Sequence, residues 1–332
     1  MSGRKQIVRL NGALSKPISV TTGVPQGSHL GPLLFIIFIN DIKGRIIFCK
    51  VLLFADDLKL FWAITCLADC QMLQADLHAI FAWSIENDLH FNLEKCSFIT
   101  FSRSSTTIQF NYTLAGTELG RADTIKDLGI IHDKRLNFHS HLESVSSKAH
   151  RALGFISRNT KEFGDKDTIK YLYQTLVLPH LTYCCQIWSP QVLYRKKILE
   201  SAQHRFVRSF LYRFSTPMDW TDHVFQPRLA ELRLPTISSR HTSLGNSFVF
   251  NTLNGRVNSQ PIIDMFKPRH VSYSLRNPHL LELDPNYNAN YLVYSAKYRL
   301  SRSWNELPAG TRATDSKEKF NEANKKICCR YS

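Results

Sequence analysis

The sequence is short of acidic residues. Its 332 residues include 27 Asp and Glu against 42 Lys and Arg, which gives a formal net charge of +15. This imbalance favours a polyanionic partner, either a nucleic acid or an anionic membrane surface. The basic residues are spread along the chain and form no terminal tail, so we expect a folded basic surface rather than a basic arm.

Long hydrophobic runs are also missing. The longest, LLFIIFI at 33–39, is far shorter than the ~20 residues that span a bilayer. The first residues, MSGRKQIVRLNG, contain no apolar segment typical of a signal peptide. No targeting signal is identified. We therefore expect no membrane partner and an intracellular protein of the nucleus or cytoplasm.

The eight cysteines include no C-x-x-C pair and no zinc-ligand spacing. Cys184 and Cys185 are adjacent, as are Cys328 and Cys329, and adjacent cysteines rarely bridge each other. We expect reduced, mostly buried thiols.

Two neighbouring carboxylates, Asp56 and Asp57, interrupt the apolar stretch LLFADDLKLF at 52–61. Neighbouring side chains on a strand point to opposite faces, so the two converge only if the chain turns there. A turn that presents paired carboxylates suits a hard divalent cation. Asp is also a common turn residue, so the pair alone could simply join two strands.

Apolar periodicity and capping residues predict the helices and strands around this pair. Residues 46–63 are predicted to form a β-hairpin with Asp56 and Asp57 near its tip. Ser28 is predicted to N-cap a helix that carries Pro32 in its early turns. Further on, Ser140 and Glu143 have the spacing of a capping box that opens a helix, and a helix around 168–177 is predicted to stop before Pro179.

The most basic predicted helix is RKKILESAQHRFVRSFLYRF, residues 195–214. Its apolar stripe is predicted to form a core, while Lys197, His204 and Arg208 lie on an opposing face. Such a face can be a solvated charged surface or can follow a phosphate backbone.

Several segments, taken in order, carry a family resemblance. They are GVPQGSHLGPLLFIIFINDI, FADD, NDLHFNLEKC and IKDLGIIHD, followed by LVLPHLTYCCQIWSP, LESAQHRFVRSFL, RLAELRLPTISSRH and RLSRSWNELP. Each is a weak signal alone, but their order and spacing closely resemble the reverse transcriptases of non-LTR retrotransposons, the jockey-like group in particular. The resemblance covers nearly the whole chain.

The resemblance implies a role for each matching residue. Asp56 and Asp57 would hold Mg²⁺ against the primer 3′-OH and the triphosphate, and Lys95 would lie near the departing pyrophosphate and protonate it, unless it is an ordinary exposed lysine. The nucleotide and template would be contacted by Gly23, Val24, Pro25, Gln26, Gly27, Ser28 and Asn92. The primer end would be gripped by Lys126, Asp127, Leu128 and Gly129. The nucleic-acid backbone would be followed by Lys148, Arg151, Lys197, His204 and Arg208.

One departure from the family pattern concerns a further metal-binding aspartate, which the family carries upstream of the GVPQGS loop. The 22 residues before Gly23 contain no Asp or Glu. A two-metal mechanism needs ligands that clamp ions about 3.5–4 Å apart. We therefore expect an N-terminally truncated form of the family pattern, one that is inactive as a polymerase on its own and binds Mg²⁺ weakly.

The sequence as a whole predicts an α+β protein. Residues 1–133 would form a partial polymerase palm, an antiparallel sheet with helices on one face. Residues 134–214 would form a helical thumb, and residues 215–332 an irregular C-terminal region. The implied partners are an RNA template, a DNA primer and deoxynucleoside triphosphates, with no obligate protein partner indicated. The alternative is a catalytically dead, nucleic-acid-binding remnant of a mobile element.

Overall fold

The computed structural model describes residues 4–20, 23–24, 27–214, 222–269, 280–283 and 295–330. It is a mixed structure of helices and short strands, which confirms the α+β class. The chain divides into two compact units, Met1–Ile125 and Lys126–Ser332. The boundaries predicted at 133 and 214 stay predictions. No helix in the described ranges is both long and apolar enough to cross a membrane.

The strands of the chain are short. They are β1 (Arg4–Gln6), β2 (Arg9–Leu10), β3 (Ala13–Leu14), β4 (Ile18–Val20), β5 (Lys50–Phe54), β6 (Asp57–Phe61), β7 (Ser97–Phe98), β8 (Thr113–Leu114), β9 (Thr117–Glu118), β10 (Gly120–Arg121), β11 (Thr124–Asp127) and β12 (Ile130–Asp133). Among the described residues they form only two-stranded pairs, β1–β4, β2–β3, β5–β6, β7–β10, β8–β9 and β11–β12.

The predicted continuous antiparallel sheet is therefore wrong for the described residues, and the β7–β10 pair is parallel. Residues 102–106 form local hydrogen bonds instead of ladder bonds. There the Ser102 hydroxyl accepts a hydrogen bond from the Ser104 amide at 3.1 Å, and the Ser104 hydroxyl accepts one from the Thr106 amide at 3.2 Å. Such local side-chain bonds compete with the ladder bonds of a sheet.

The first unit is built around two helices and the β5–β6 hairpin. The helices are α1 (Gly31–Ile39), which continues into a 3₁₀ segment (Asn40–Arg45), and α2 (Leu67–Glu86). A core of Ile39, Ile42, Ile80 and Trp83 lies between them. Three leucines of the hairpin pack on this core, namely Leu53, Leu58 and Leu60. The expected packing of the hairpin against the helix that follows Ser28 is thus confirmed.

The second unit is helical. Its helices are α3 (His139–Asn159), α4 (Lys166–Leu172), a π turn (Tyr173–Val177), α5 (Leu178–Thr182), α6 (Cys185–Trp188), α7 (Leu193–Phe214), α8 (Asp222–Glu231), α9 (Ile237–Leu253), α10 (Gln260–Ile263), α11 (Ala296–Asn305), α12 (Ala309–Arg312) and α13 (Lys317–Arg330). The expected inward residues Leu142, Val145, Ala149 and Ile156 of α3 are buried, as are Val207, Phe210 and Leu211 of α7.

The start of α3 differs from the predicted capping box. The helix begins at His139 and its N-cap is Phe138, with φ of +57° and no side-chain cap. In the loop before the helix, the Asp133 carboxylate accepts hydrogen bonds from the amides of Arg135, Asn137 and Phe138. These bonds order the loop before α3, and Ser140 lies inside the helix rather than at its N-cap.

The helix predicted to end before Pro179 continues through it. A π turn over Tyr173–Val177 precedes Pro179, which occupies the first turn of α5, where its missing amide leaves no bond unmade. The altered phase of the π turn exposes Leu176, which was expected to be buried, while Tyr173 and Val177 are fully buried.

The C-terminal region was expected to be irregular, but its described residues, 222–269, 280–283 and 295–330, are mostly helical. Its core contains Val249, Phe250, Trp304 and Phe320. Polar side chains also lie among them. The side-chain amide of buried Asn246 donates a hydrogen bond to buried Asn324 at 3.1 Å. Buried Asn and Ser residues break the apolar period, and this is why no clean period is visible in the sequence.

Candidate functional site

The paired carboxylates lie where the hairpin turns. The register joins Phe54 to Asp57, so Ala55 and Asp56 form a two-residue turn. Ala55 has φ of +51°, a conformation that costs a non-glycine residue free energy and that clusters at functional sites. Asp56 and Asp57 are both exposed. The turn therefore presents both residues at the open end of a hairpin whose other end is anchored.

That anchor is Asp76 of α2, a residue that sequence reasoning missed. Its carboxylate accepts hydrogen bonds from the amides of Ile47, Phe48 and Cys49 at 3.0, 2.9 and 2.7 Å, just before β5. Burial alone would raise the pKa of Asp76, but these backbone hydrogen bonds outweigh it and hold the pKa below its usual value. The available signal was an acidic residue on the apolar stripe of α2.

The metal-binding capacity of this turn is partial. Asp56 and Asp57 offer carboxylate oxygens, the ligands that Mg²⁺ prefers. Within the described ranges, no group of three His, Cys, Asp or Glu side chains is arranged to hold a metal ion. The donor chemistry therefore fits Mg²⁺, with water needed to complete its coordination.

The glycine-rich loop before α1 is open. Gly23 and Gly27 have φ of +80° and +82°, and no atom lies within 4 Å of the position that a Cβ would take at either. The Ser28 hydroxyl accepts a hydrogen bond from the Gly31 amide at 3.0 Å, the bond expected of the predicted cap, but the helix begins at Gly31 and its N-cap residue is Leu30. Pro25 and Gln26, also predicted to contact nucleotide or template, lie outside the described residues.

Asn92 and Lys95 bracket a single 3₁₀ turn, Leu93–Lys95, in which the Lys95 amide donates to the Asn92 carbonyl at 3.1 Å. Both side chains are exposed. The neighbouring Phe91 packs on the same core as the leucines of the hairpin. One hydrophobic core therefore supports both the Asp56 turn and the lysine turn.

The turn predicted to grip the primer belongs to the second unit. Leu128 and Gly129 have φ of +43° and +87°, the pattern of a type I′ hairpin turn. Lys126 is exposed and Asp127 is half-buried. The Leu128 carbonyl accepts a hydrogen bond from the Tyr183 hydroxyl at 3.1 Å. Tyr183 is a second residue that sequence reasoning missed, since it lies 55 positions away.

The predicted backbone-contacting residues lie on α3 and α7, which pack together. On α3, Lys148 is half-buried and Arg151 is exposed; on α7, Lys197 and Arg208 are exposed. His204 is different, because its ring stacks on Phe225 with centroids 3.4 Å apart. This contact occupies one face of the imidazole.

The α3–α7 seam adds a residue that the sequence pattern did not single out. His150 of α3 contacts the Ser201 hydroxyl of α7 at 3.2 Å. Burial, and then the nearby charge of Arg205, hold the pKa of His150 below its usual value. Arg205 is exposed and so extends the basic surface between the two helices.

Comparisons with known proteins identify the family of the chain. A model of the family described as reverse transcriptase (RNA-dependent DNA polymerase) matches residues 3–176, more than half of the chain. The RNA-directed DNA polymerase from mobile element jockey of Drosophila funebris is 28% identical over 202 residues, 56% of this chain and 21% of that protein. The probable RNA-directed DNA polymerase from transposon X-element of Drosophila melanogaster is 26% identical over 218 residues, 63% of this chain and 24% of that protein.

A third relative, the probable RNA-directed DNA polymerase from transposon BS of Drosophila melanogaster, is 28% identical over 220 residues, 63% of this chain and 24% of that protein. The chain thus spans about a fifth to a quarter of the length of these relatives. No solved structure gives a significant match. The matches favour the polymerase interpretation over the binding remnant, and the chain belongs to the reverse transcriptase family, in the jockey-like group of non-LTR retrotransposons.

Proposed function

We propose that the protein forms the palm hairpin and the thumb of an RNA-directed DNA polymerase that copies an RNA template by extending a DNA primer. The observation that carries the proposal is the position of Asp56. It lies exposed at the tip of a hairpin whose leucines pack, partly buried, on a hydrophobic core, in a chain of the reverse transcriptase family. The substrates follow from the family and imply action inside the cell, in the nucleus or the cytoplasm.

Asp56 and Asp57 are the residues that would hold Mg²⁺. When bound there, the ion would neutralise charge on the phosphates of the incoming nucleotide. The residues of this chain would position the two carboxylates. Pairing to Phe54 fixes the backbone of Asp57, and the three hydrogen bonds to Asp76 fix the strand that leads into the turn. Positioning of this kind supplies most of the catalysis in phosphoryl transfer.

The incoming nucleotide would be contacted by the glycine-rich loop and the lysine turn. Among the described residues, no atom lies within 4 Å of the position that a Cβ would take at Gly23 or Gly27, which leaves room there for a base or sugar. Pro25, Gln26, Ser28 and Asn92 complete the proposed contacts. Lys95, on an exposed turn, would donate a proton to the departing pyrophosphate.

The primer end and the duplex would be held by the second unit. Lys126, Asp127, Leu128 and Gly129 form the proposed primer grip, in which the strained Leu128 keeps an exposed side chain. The surface of α3 and α7 that carries Arg151, Lys197 and Arg208 would follow the phosphates. Contacts of this type position a duplex without reading its sequence.

Photocrosslinking tests the proposal without requiring catalysis. An RNA template–DNA primer hybrid would carry a thiolated thymidine at the primer 3′ end, and crosslinked peptides would be identified by mass spectrometry. We expect crosslinks to the peptide that contains Ala55, Asp56 and Asp57. A matched hybrid with the same base one helical turn back should label α3 or α7 instead. Labelling by the terminal base confined to residues 222–330 would contradict the proposal.

A further inference from the structure

A cavity of about 370 Å³ lies in the second unit, outside residues 3–176 that match the family. Its walls come from α7, α9 and α11, together with the segment after α6. The polar and charged residues that matter for its chemistry are Lys196, Ser238, Thr242, Tyr298, Arg299 and Arg302. Its volume falls in the range of small-molecule sites, roughly 300–1,000 Å³.

The strongest feature of this cavity is Arg299. One of its terminal nitrogens donates to the Gln186 carbonyl at 2.6 Å. Its Nε is buried and has no hydrogen-bond partner. Burial lowers the pKa of Arg299 to about 10, so the guanidinium is still charged at neutral pH. No carboxylate of the described residues forms an ion pair with it, and a half-buried cation of this kind calls for an anion.

The other charges of the cavity do not balance Arg299. Lys196 also lines it and forms no ion pair with any described residue. The nearby Glu200 carboxylate is occupied by the amides of Ile237 and Ser238 at 3.2 and 3.0 Å. Glu306 is paired with Arg302 at 3.0 Å. Burial raises the pKa of Glu200, and the charge of Lys196 is among the causes that oppose this rise, so Glu200 partly balances Lys196. Arg299 is left without a carboxylate partner among the described residues, and Lys196 lines the same cavity.

His241 contributes a neutral wall. Its Nε2 donates to the Leu181 carbonyl at 2.7 Å, which leaves Nδ1 to accept from the Ser189 hydroxyl at 2.9 Å. Burial lowers the pKa of His241 to about 4, so it adds no charge at neutral pH. The ring therefore fixes one side of the cavity, and the anion preference comes from Lys196 and Arg299.

We propose that this cavity binds the phosphate of a nucleotide, either a free nucleotide or one unit of a single strand. Lys196 and the guanidinium of Arg299 would supply the charge and the donors, and Ser238, Thr242 and Tyr298 also line the cavity. Arginine and lysine together are a common combination for phosphate, since one offers a planar fork and the other a compact charge. The proposed site is separate from the Asp56 turn.

Calorimetric titration of the full chain tests the proposal with two probes, adenosine monophosphate and a short single-stranded RNA without a terminal phosphate. The test variant is K196A, which removes a half-buried side chain at the edge of the cavity. The matched control is K297A, which removes the same charge from an exposed position of α11. R299K is a second test variant, which keeps the positive charge but loses the planar guanidinium group. Thermal melts would verify that all three variants fold.

We expect K196A to weaken binding of at least one probe by about tenfold or more, as for loss of a charge-assisted hydrogen bond, while K297A leaves it unchanged. Selective loss with adenosine monophosphate identifies a free nucleotide as the ligand. Selective loss with the RNA alone identifies a strand. No binding of either probe, or equal effects of K196A and K297A, would overturn the proposal. Hybrid crosslinking at the Asp56 turn should be unaffected by K196A, so the two proposals fail separately.

Discussion

The hydroxyl of Tyr183 donates a hydrogen bond to the carbonyl oxygen of Leu128 at 3.1 Å, across 55 positions of sequence. The Tyr183 ring also lies 3.4 Å from the position that a Cβ would take on Gly129. Leu128 has φ of +43°, which a bulky residue rarely adopts. The tyrosine therefore braces a strained turn from outside, and the turn is the one proposed to grip the primer.

Substituting Tyr183 with Phe removes this hydrogen bond and keeps the ring. We expect a loss in the free energy of unfolding of no more than about 1 kcal/mol, because the bond is exposed to solvent. Affinity for a hybrid with a recessed primer end should fall more than affinity for a blunt duplex. Fluorescence anisotropy measures both affinities. Y171F, at an exposed tyrosine, is the control. Equal losses for the two duplexes would assign Tyr183 a purely structural role.

Asp76 should make stability depend on pH. Its folded pKa is held below the usual 3.8 by backbone hydrogen bonds. A carboxylate with a lowered folded pKa stabilises the folded state fully above its unfolded pKa, and the stabilisation is lost as the pH falls through the folded value. The D76N variant replaces one carboxylate oxygen by an NH2 group, which cannot accept from these amides, and it removes the charge, so it should lower the free energy of unfolding by about 2–3 kcal/mol at pH 6.

That difference between the wild type and D76N should shrink as the pH falls below the usual pKa of 3.8 towards the lower folded pKa, because the unfolded wild-type chain then binds a proton at Asp76 that the folded chain does not. Urea unfolding at a series of pH values measures it. D88N, at an exposed residue whose left-handed backbone suits Asn, should show a small and constant difference. A D76N difference that stays constant with pH would contradict the assignment.

The basic surface of α7 should set the salt dependence of duplex binding. Each phosphate contact steepens the slope of log K against log salt by about 0.9 for a DNA duplex. The double variant K197A/R208A should therefore flatten the slope by up to about 1.8. K297A/K325A removes two exposed charges from α11 and α13 and should change it little. An unaltered slope in K197A/R208A would mean that this face serves only solubility.

His204 should behave differently from its neighbours on α7. Its ring stacks on Phe225, so H204A should lower the free energy of unfolding. The loss typical of an aromatic pair is about 0.5–1.5 kcal/mol, in addition to the cost of the buried surface that is lost. The salt slope should be almost unchanged. Thermal melts and salt titrations separate the two effects. A flattened slope with unchanged stability would instead support the predicted backbone contact.

Local sequence patterns predicted the elements whose cause is local. The β5–β6 hairpin, α2, α3 and α7 follow from apolar periods, and the turn at Asp56 follows from its residue type. The residues that brace the sites could not be found this way. Asp76 acts on amides 27 to 29 positions away, and Tyr183 acts on Leu128 55 positions away. The apolar periodicity of a helix or strand contains no information about hydrogen bonds between residues so far apart in sequence.

The C-terminal helices were missed for a related reason. Asn246 and Asn324 are buried and satisfy each other across 78 positions. Residues of this type normally indicate a surface or a loop, because an unpaired buried amide is costly. Their partners become visible only in the folded chain. Arg299 could likewise be recognised only in the folded chain, which brings its charge to the wall of the cavity.

The last prediction concerns metal binding at the Asp56 turn. Asp56 and Asp57 bring two carboxylates to one turn, and the described residues contain no three-residue ligand cluster. Hard divalent ions accept water in their remaining positions, so we expect weak binding of Mn²⁺ used in place of Mg²⁺. The loss of free Mn²⁺ signal in electron paramagnetic resonance measures it. D56N should weaken this binding by about tenfold, because a charged oxygen ligand becomes neutral. D88N removes an equal charge from an exposed turn and should leave it unchanged. If D56N and D88N bind Mn²⁺ as the wild type does, the ion is held elsewhere, and the proposed role of Asp56 fails. If D56N alone loses the ion, the same variant should also abolish primer extension in any longer form of the protein that supports it.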